Sequence, residues 1–228
     1  MDPILSSAKV VMGEPEILEY VIKKYGHSSG TSYRTISFVN SESSVYWLRE
    51  ILQKYTEEYI LIRTTIPNAI IGQESHYISL FIQQSHKCVH FLNSEHVVDR
   101  QLKVFIREMS HTLSQMNYTF HDLTPNTAEE ALQIHPRDTY CQSWCVFMLL
   151  YAFNHRRHKR LYPDFRHKSA LQKLKFIQHW IRRVVVKTEG KFDFSLKYQV
   201  LTDFNYTINE KNINHLLKKI IKCENYTS

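Results

Sequence analysis

Glycine and proline are scarce in this chain, five and six among 228 residues. That excludes a collagen-like, linker-rich or disordered protein, whose composition is dominated by such residues or is poor in apolar ones. Four cysteines, Cys88, Cys141, Cys145 and Cys223, are too few to be the dense disulfide framework of a small secreted domain. No apolar run approaches the roughly 20 residues a membrane-spanning helix needs, so no membrane partner is expected. The start, Met1-Asp2-Pro3-Ile4, lacks the basic stretch followed by an apolar one that marks a secretory signal. The thiols are therefore expected to be reduced, in a cytosol-like compartment, in a protein that is not secreted.

What is present is enough apolar material for a sizeable core, 43% of the residues. The length suits a single domain spanning residues 1–228. Within it, residues 1–58 form a strand and helix lead-in, 59–153 a central core, and 154–228 a basic, mainly helical part. The net charge of +7 is concentrated. Between Tyr151 and Lys187 stand eleven Lys/Arg and one acid, Asp164, a local +10 that leaves the rest of the chain at −3. Such a segment, Arg156 to Arg183 at its heart, is a candidate surface for DNA or another polyanion. The plain alternative is a solvated helix face.

Hydropathy patterning predicts the elements. Ser32–Asn40 and Tyr59–Thr65 read as strands, with a helix over Val45–Tyr55 between them, capped by Ser43 or Ser44. Tyr77–Gln83 and Lys87–Leu92 read as a hairpin across Gln84-Ser85-His86. Val98, Leu102, Phe105, Ile106, Met109, Leu113 and Met116 mark one face of an amphipathic helix. Tyr118–Phe120 is a short strand. Ser143–Phe153 is apolar all round and so predicts a buried helix. A second long helix covers Ser169–Lys187. Strand character over Phe192–Tyr206 and a terminal helix over Asn212–Cys223 follow.

Three pieces carry chemistry. His76 stands at the head of one hairpin strand, Asn93 at the end of the other, and Gln142 and Cys145 lead into the buried helix. A thiol becomes a nucleophile as its thiolate, favoured by a helix N-terminus and by an imidazole that takes the proton. The imidazole needs a second partner to fix its orientation. Antiparallel pairing brings His76 and Asn93 to one sheet edge. Gln142 and the backbone N–H of Cys145 would then be donors to an oxyanion. Cys141 is the alternative nucleophile, although Gln142 would then stand differently. His86, Cys88 and His90 share one strand face, which lacks a fourth ligand for tetrahedral zinc. His135 with Cys141 and Cys145 is a second, equally incomplete set. No metal and no cofactor are assigned.

His76-Tyr77-Ile78-Ser79-Leu80-Phe81-Ile82 resembles the "His-Trp, then apolar strand" of the ubiquitin-like-protein (SUMO) proteases. Phe91-Leu92-Asn93-Ser94 resembles the "Tyr-Tyr-Asp-Ser" that follows there. An amphipathic helix, then Gln and a Cys opening a buried helix, completes the order. The adenovirus, poxvirus core and African swine fever virus polyprotein proteases are similar in layout, and the last also uses Asn. The resemblance covers roughly residues 59–153. Departures are Tyr77 for Trp, Trp144 before Cys145 and Val146 after it. The resemblance implies an α+β, papain-like cysteine peptidase fold with a central mixed sheet and the nucleophile on a buried helix N-terminus. It implies His76, Asn93 and Cys145 as triad and Gln142 in the oxyanion hole. It also implies cleavage after small residues, Gly-Gly or Gly-Xaa, in a polyprotein or ubiquitin-like conjugate, in a virion or host-cell cytoplasm. An inactive copy serving as a virion or nucleic-acid-binding module is the alternative.

Overall fold

A computed structural model describes residues 12, 15–28, 30–40, 45–66, 76–96, 100–135, 140–155 and 165–188. These residues form an α+β protein with five helices and a five-stranded mixed open sheet. In chain order the elements are α1 (Pro15–Tyr25), β1 (Tyr33–Ser37), α2 (Tyr46–Lys54), β2 (Tyr59–Ile66) and β3 (His76–Gln83). Then come β4 (Cys88–Leu92), α3 (Arg100–Gln115), β5 (Thr119–Asp122), α4 (Cys141–His155) and α5 (Ala170–Thr188). The predicted strand over 192–206 and helix over 212–223 lie outside the described residues.

The strands lie in sequence order, β1-β2-β3-β4-β5. The three central strands pair antiparallel, and β1 and β5 each join an edge in parallel. Parallel pairing cannot be made by a tight turn and needs a crossover. The helices α2 and α3 lie between the parallel-paired strands in sequence and supply it. β2 is buried along its whole length, as the near-continuous apolar run Tyr59-Ile60-Leu61-Ile62 requires.

Strand side chains alternate between two cores. Ile60, Ile62, Ile78, Leu80, Ile82, Val89 and Phe91 pack with Leu48 and Leu52 of α2 and with Leu102, Phe105, Met109 and Leu113 of α3. Tyr59, Leu61, Phe81 and Leu92 face the other way, against α1, α4 and α5. α4 is enclosed on all sides, which explains why its sequence shows no polar face. Trp144 and Phe147 on α4 meet Phe165, and Phe176 on α5, with ring centroids 5.1–6.0 Å apart.

Asn154, near the end of α4, ties α1 down. Its Oδ1 accepts from the His27 N–H at 2.8 Å and its amide donates to the Tyr25 carbonyl at 3.2 Å. A Cβ on Gly26 would run into the Ile22 carbonyl and the Phe153 ring, so only glycine lets α1 end so close to α4.

The basic segment is less uniform than its charge count suggests. Lys173 turns inward, fully buried, and donates to the Glu129 and Ala131 carbonyls, both at 2.6 Å. Burial lowers its pKa. Arg166 is paired with Glu130. Lys173 thus ties α5 to the 124–135 loop from inside, while Arg166 pairs with Glu130 of the same loop at the surface.

Candidate active site

The β3–β4 hairpin delivers its two expected residues to one edge. Pairing ends at Ser79↔Leu92, so His76 begins β3 where Asn93 leaves β4. His76 Nε2 lies 2.8 Å from Asn93 Oδ1. The same Oδ1 accepts the backbone N–H of Glu95 at 3.2 Å, an Asx-turn closed over Ser94. A backbone N–H can only donate, so this bond fixes which end of the amide faces the ring. Nε2 must then carry the proton, and Nδ1 is left as the basic nitrogen. The Glu95 carboxylate stands 3.9 Å from Nδ1.

Asn93 is fully buried, and its turn is held from behind. The Ser94 carbonyl accepts from the Leu132 and Gln133 N–H groups at 2.9 and 3.0 Å, and Ser94 Oγ donates to Gln133 Oε1 at 2.9 Å. The Asn93 Nδ2 has no hydrogen-bond partner among the described residues. The amide is thus oriented by what its oxygen accepts.

The helix overhead begins at Cys141, two residues before the expected Ser143, with the Trp144 N–H already bonded to the Tyr140 carbonyl at 2.9 Å. Cys141 is partly exposed. Tyr77 and Ser79 alternate on the β3 face turned to α4. Burial raises the pKa of the Tyr77 phenol, opposed by the Arg63 charge and by the neighbouring Gln142 side chain, with Cys141 and Cys145 adding to the rise. Ser79 Oγ donates to the Cys145 carbonyl at 3.3 Å. From Tyr77 to Ser79 the strand therefore tracks α4 from its first turn to its second, and α4 enters over the end of β3 that carries His76.

Cys145 does not open the helix, which corrects that expectation. It lies in the second turn, fully buried in the apolar core. Burial pushes its thiol up to about 12, against the smaller opposing effects of the Ser79 hydroxyl and Arg63, with Cys141 and Glu95 adding to the rise. That environment opposes a thiolate. Gln142 lies beside Tyr77, and its Oε1 is buried without a hydrogen-bond partner among the described residues. The sequence reading missed Glu95, Tyr77 and Ser79. The Asn-Ser-Glu turn and the period-two alternation with Phe81 are the signals that carry them.

No protein-family model and no curated protein matches this chain.

Proposed function

We propose that this chain is a cysteine peptidase with a papain-like layout of the adenovirus- and SUMO-protease type. Cys141 is its nucleophile, His76 its general base, and Asn93 the residue that positions the base. The observation that carries the reading is the 2.8 Å His76–Asn93 bond, with Oδ1 held toward the ring by the Glu95 N–H. It leaves the Nδ1 lone pair available for a thiol proton. Cys141 is preferred to Cys145 because it is partly exposed and is the first residue of α4, where the helix dipole favours a thiolate.

In the reaction, the Cys141 proton passes to His76 Nδ1 and sulfur bonds to the scissile carbonyl carbon. N–H groups of the first turn of α4 receive the oxyanion, a role in which one donor is worth about 10²–10³ in rate. His76 returns the proton to the departing amine as the C–N bond breaks. Water, deprotonated by His76, then releases the acyl group from sulfur. The resemblance to viral and SUMO proteases suggests substrates cut after small residues, in structural or polyprotein precursors or ubiquitin-like conjugates.

The test is cleavage of a Gly-Gly-Xaa peptide set, beside Cys141→Ala and Cys145→Ala, with intact-mass mapping of iodoacetamide adducts. Turnover that survives Cys145→Ala but not Cys141→Ala, with Cys141 alkylated first, is the expected result. No cleavage, together with Cys141 alkylated no faster than free cysteine, overturns the enzyme reading. Loss of turnover in a folded Cys145→Ala alone returns the role to Cys145. The rival, an inactive protease-like module binding nucleic acid through Arg156–Arg183, is weakened by the inward Lys173 and the paired Arg166.

A further inference from the structure

The far end of the same hairpin gathers a second set of side chains. Cys88 and His90 lie on one face of β4, and the parallel register sets His90 opposite His121 of β5. The thiol and the two imidazoles each offer a donor atom, and all three atoms lie within 4.8 Å of one another. Cys88 Sγ is 3.2 Å from His90 Nε2, and the His90 and His121 rings stack at 5.1 Å with 12° between their planes. Gln83, opposite Cys88 in the register, brings its Oε1 to 3.3 Å from the same Nε2. Sulfur and amide oxygen thus converge on one ring nitrogen, which has at most one proton to offer them in this orientation.

We propose that Cys88, His90 and His121 form a binding site for a divalent d-block cation, with zinc as the metal their donor set suits. One thiolate and two imidazoles are a borderline-soft set. In a tetrahedral zinc site such donors stand about 3.3–3.6 Å apart, as bond lengths of roughly 2.0–2.3 Å require. The present spread needs a closure of the donor atoms and a rotation of one of the stacked rings so that both lone pairs meet at one point, and the half-buried His121 on the edge strand is the member with room to move. Gln83 Oε1 or a water takes the fourth position. The sequence spacing His86-x-Cys88-x-His90 points to a different trio. His86 sits exposed in the hairpin turn, beside Ser85 Oγ, and His121 replaces it by a pairing that no local spacing reveals.

The site would fasten β5. That strand is four residues long, pairs on one side only, and has both ends exposed. A cation ligated from β4 and β5 ties this edge to a central strand. Burial keeps the Cys88 thiol protonated, so binding replaces the S–H proton with a metal–sulfur bond and releases that proton to solvent.

The experiment titrates cobalt(II), as a spectroscopic zinc analogue, into chelator-treated full-length chain carrying Cys141→Ser. Expected are one equivalent bound, tetrahedral visible bands, a thiolate-to-cobalt charge-transfer band, and displacement by zinc. Cys88→Ser should remove the charge-transfer band. His121→Asn, at a half-exposed position that spares the core, should weaken binding by more than roughly tenfold. An absent charge-transfer band, or affinity unchanged in His121→Asn, overturns the proposal and leaves a hydrogen-bonded thiol–imidazole pair.

Discussion

Cys141 and Cys145 stand one turn apart on α4, about 6 Å along its axis, in opposite surroundings. Cys141 is the first helical residue, half-open to solvent, on the end of the sheet that carries the oriented imidazole. Cys145 is sealed among apolar side chains, its carbonyl held by Ser79 and its thiol pushed up to about 12. The same side chain on the same helix is thus open to solvent in one turn and packed into the core in the next. Position relative to the helix end, rather than residue type or the neighbouring Gln, separates them.

The largest expected effect breaks this comparison directly. Cys141→Ala should lower turnover by at least about 10⁴-fold, since a nucleophile acts as part of a unit whose loss is not shared out. Cys145→Ala should leave kcat within about threefold, because a side chain outside the site changes stability rather than the barrier. Steady-state rates on one peptide, normalised to folded protein, check both. Equal losses in the two variants would erase the distinction.

Next in size is Asn93→Ala. The ring of His76 loses the acceptor that fixes its tautomer, so a fall of about 10²-fold in kcat is expected, within the range that general acid–base groups supply. KM should change little, because Asn93 is buried and beyond reach of substrate. Asn93→Asp restores an acceptor and should recover much of the rate. A structural role alone would lower the folded fraction without that recovery.

The hairpin that makes this site was legible because its cues are local. A histidine before an apolar strand, a short polar turn and an amide at the far end define the pairing by themselves. α3 was legible from its stripe of Leu102, Phe105, Met109 and Leu113. The start of α4 was not. A helix buried on all sides has no periodicity to mark its ends, so the expected start at Ser143 falls two residues late. α1 is not among the elements the patterning predicts, although Ile17, Leu18, Val21 and Ile22 carry helical spacing and are all fully buried. The meeting of His90 with His121 depends on which strand joins the sheet edge, a long-range choice that no window of sequence contains. The direction of Lys173 was equally hidden, because a charge count records how many cations a segment holds and not which way each one points.

The smallest effect concerns Cys145 alone and sharpens the contrast through pH. Its folded-state value, about 12, lies above the ordinary 9.0 expected when the chain is unfolded. Between those values the unfolded chain gives up the proton and the folded one keeps it, so the unfolded state binds fewer protons. Stability is then fully present below pH 9 and falls as pH rises toward about 12, with a slope of at most about 1.4 kcal/mol per pH unit from this one thiol. The buried phenols of Tyr25 and Tyr77, also raised, add to the loss from their ordinary value of 10.0 upward. Cys145→Ala should be less stable than the parent near neutrality, by about 1 kcal/mol for the lost packing. It should also show a shallower decline between pH 9 and 10, before the phenols dominate. Urea unfolding at closely spaced pH values measures both. Parallel curves for the two proteins would mean that Cys145 ionises as freely in the fold as outside it, and the difference between the two turns of α4 would then need another cause.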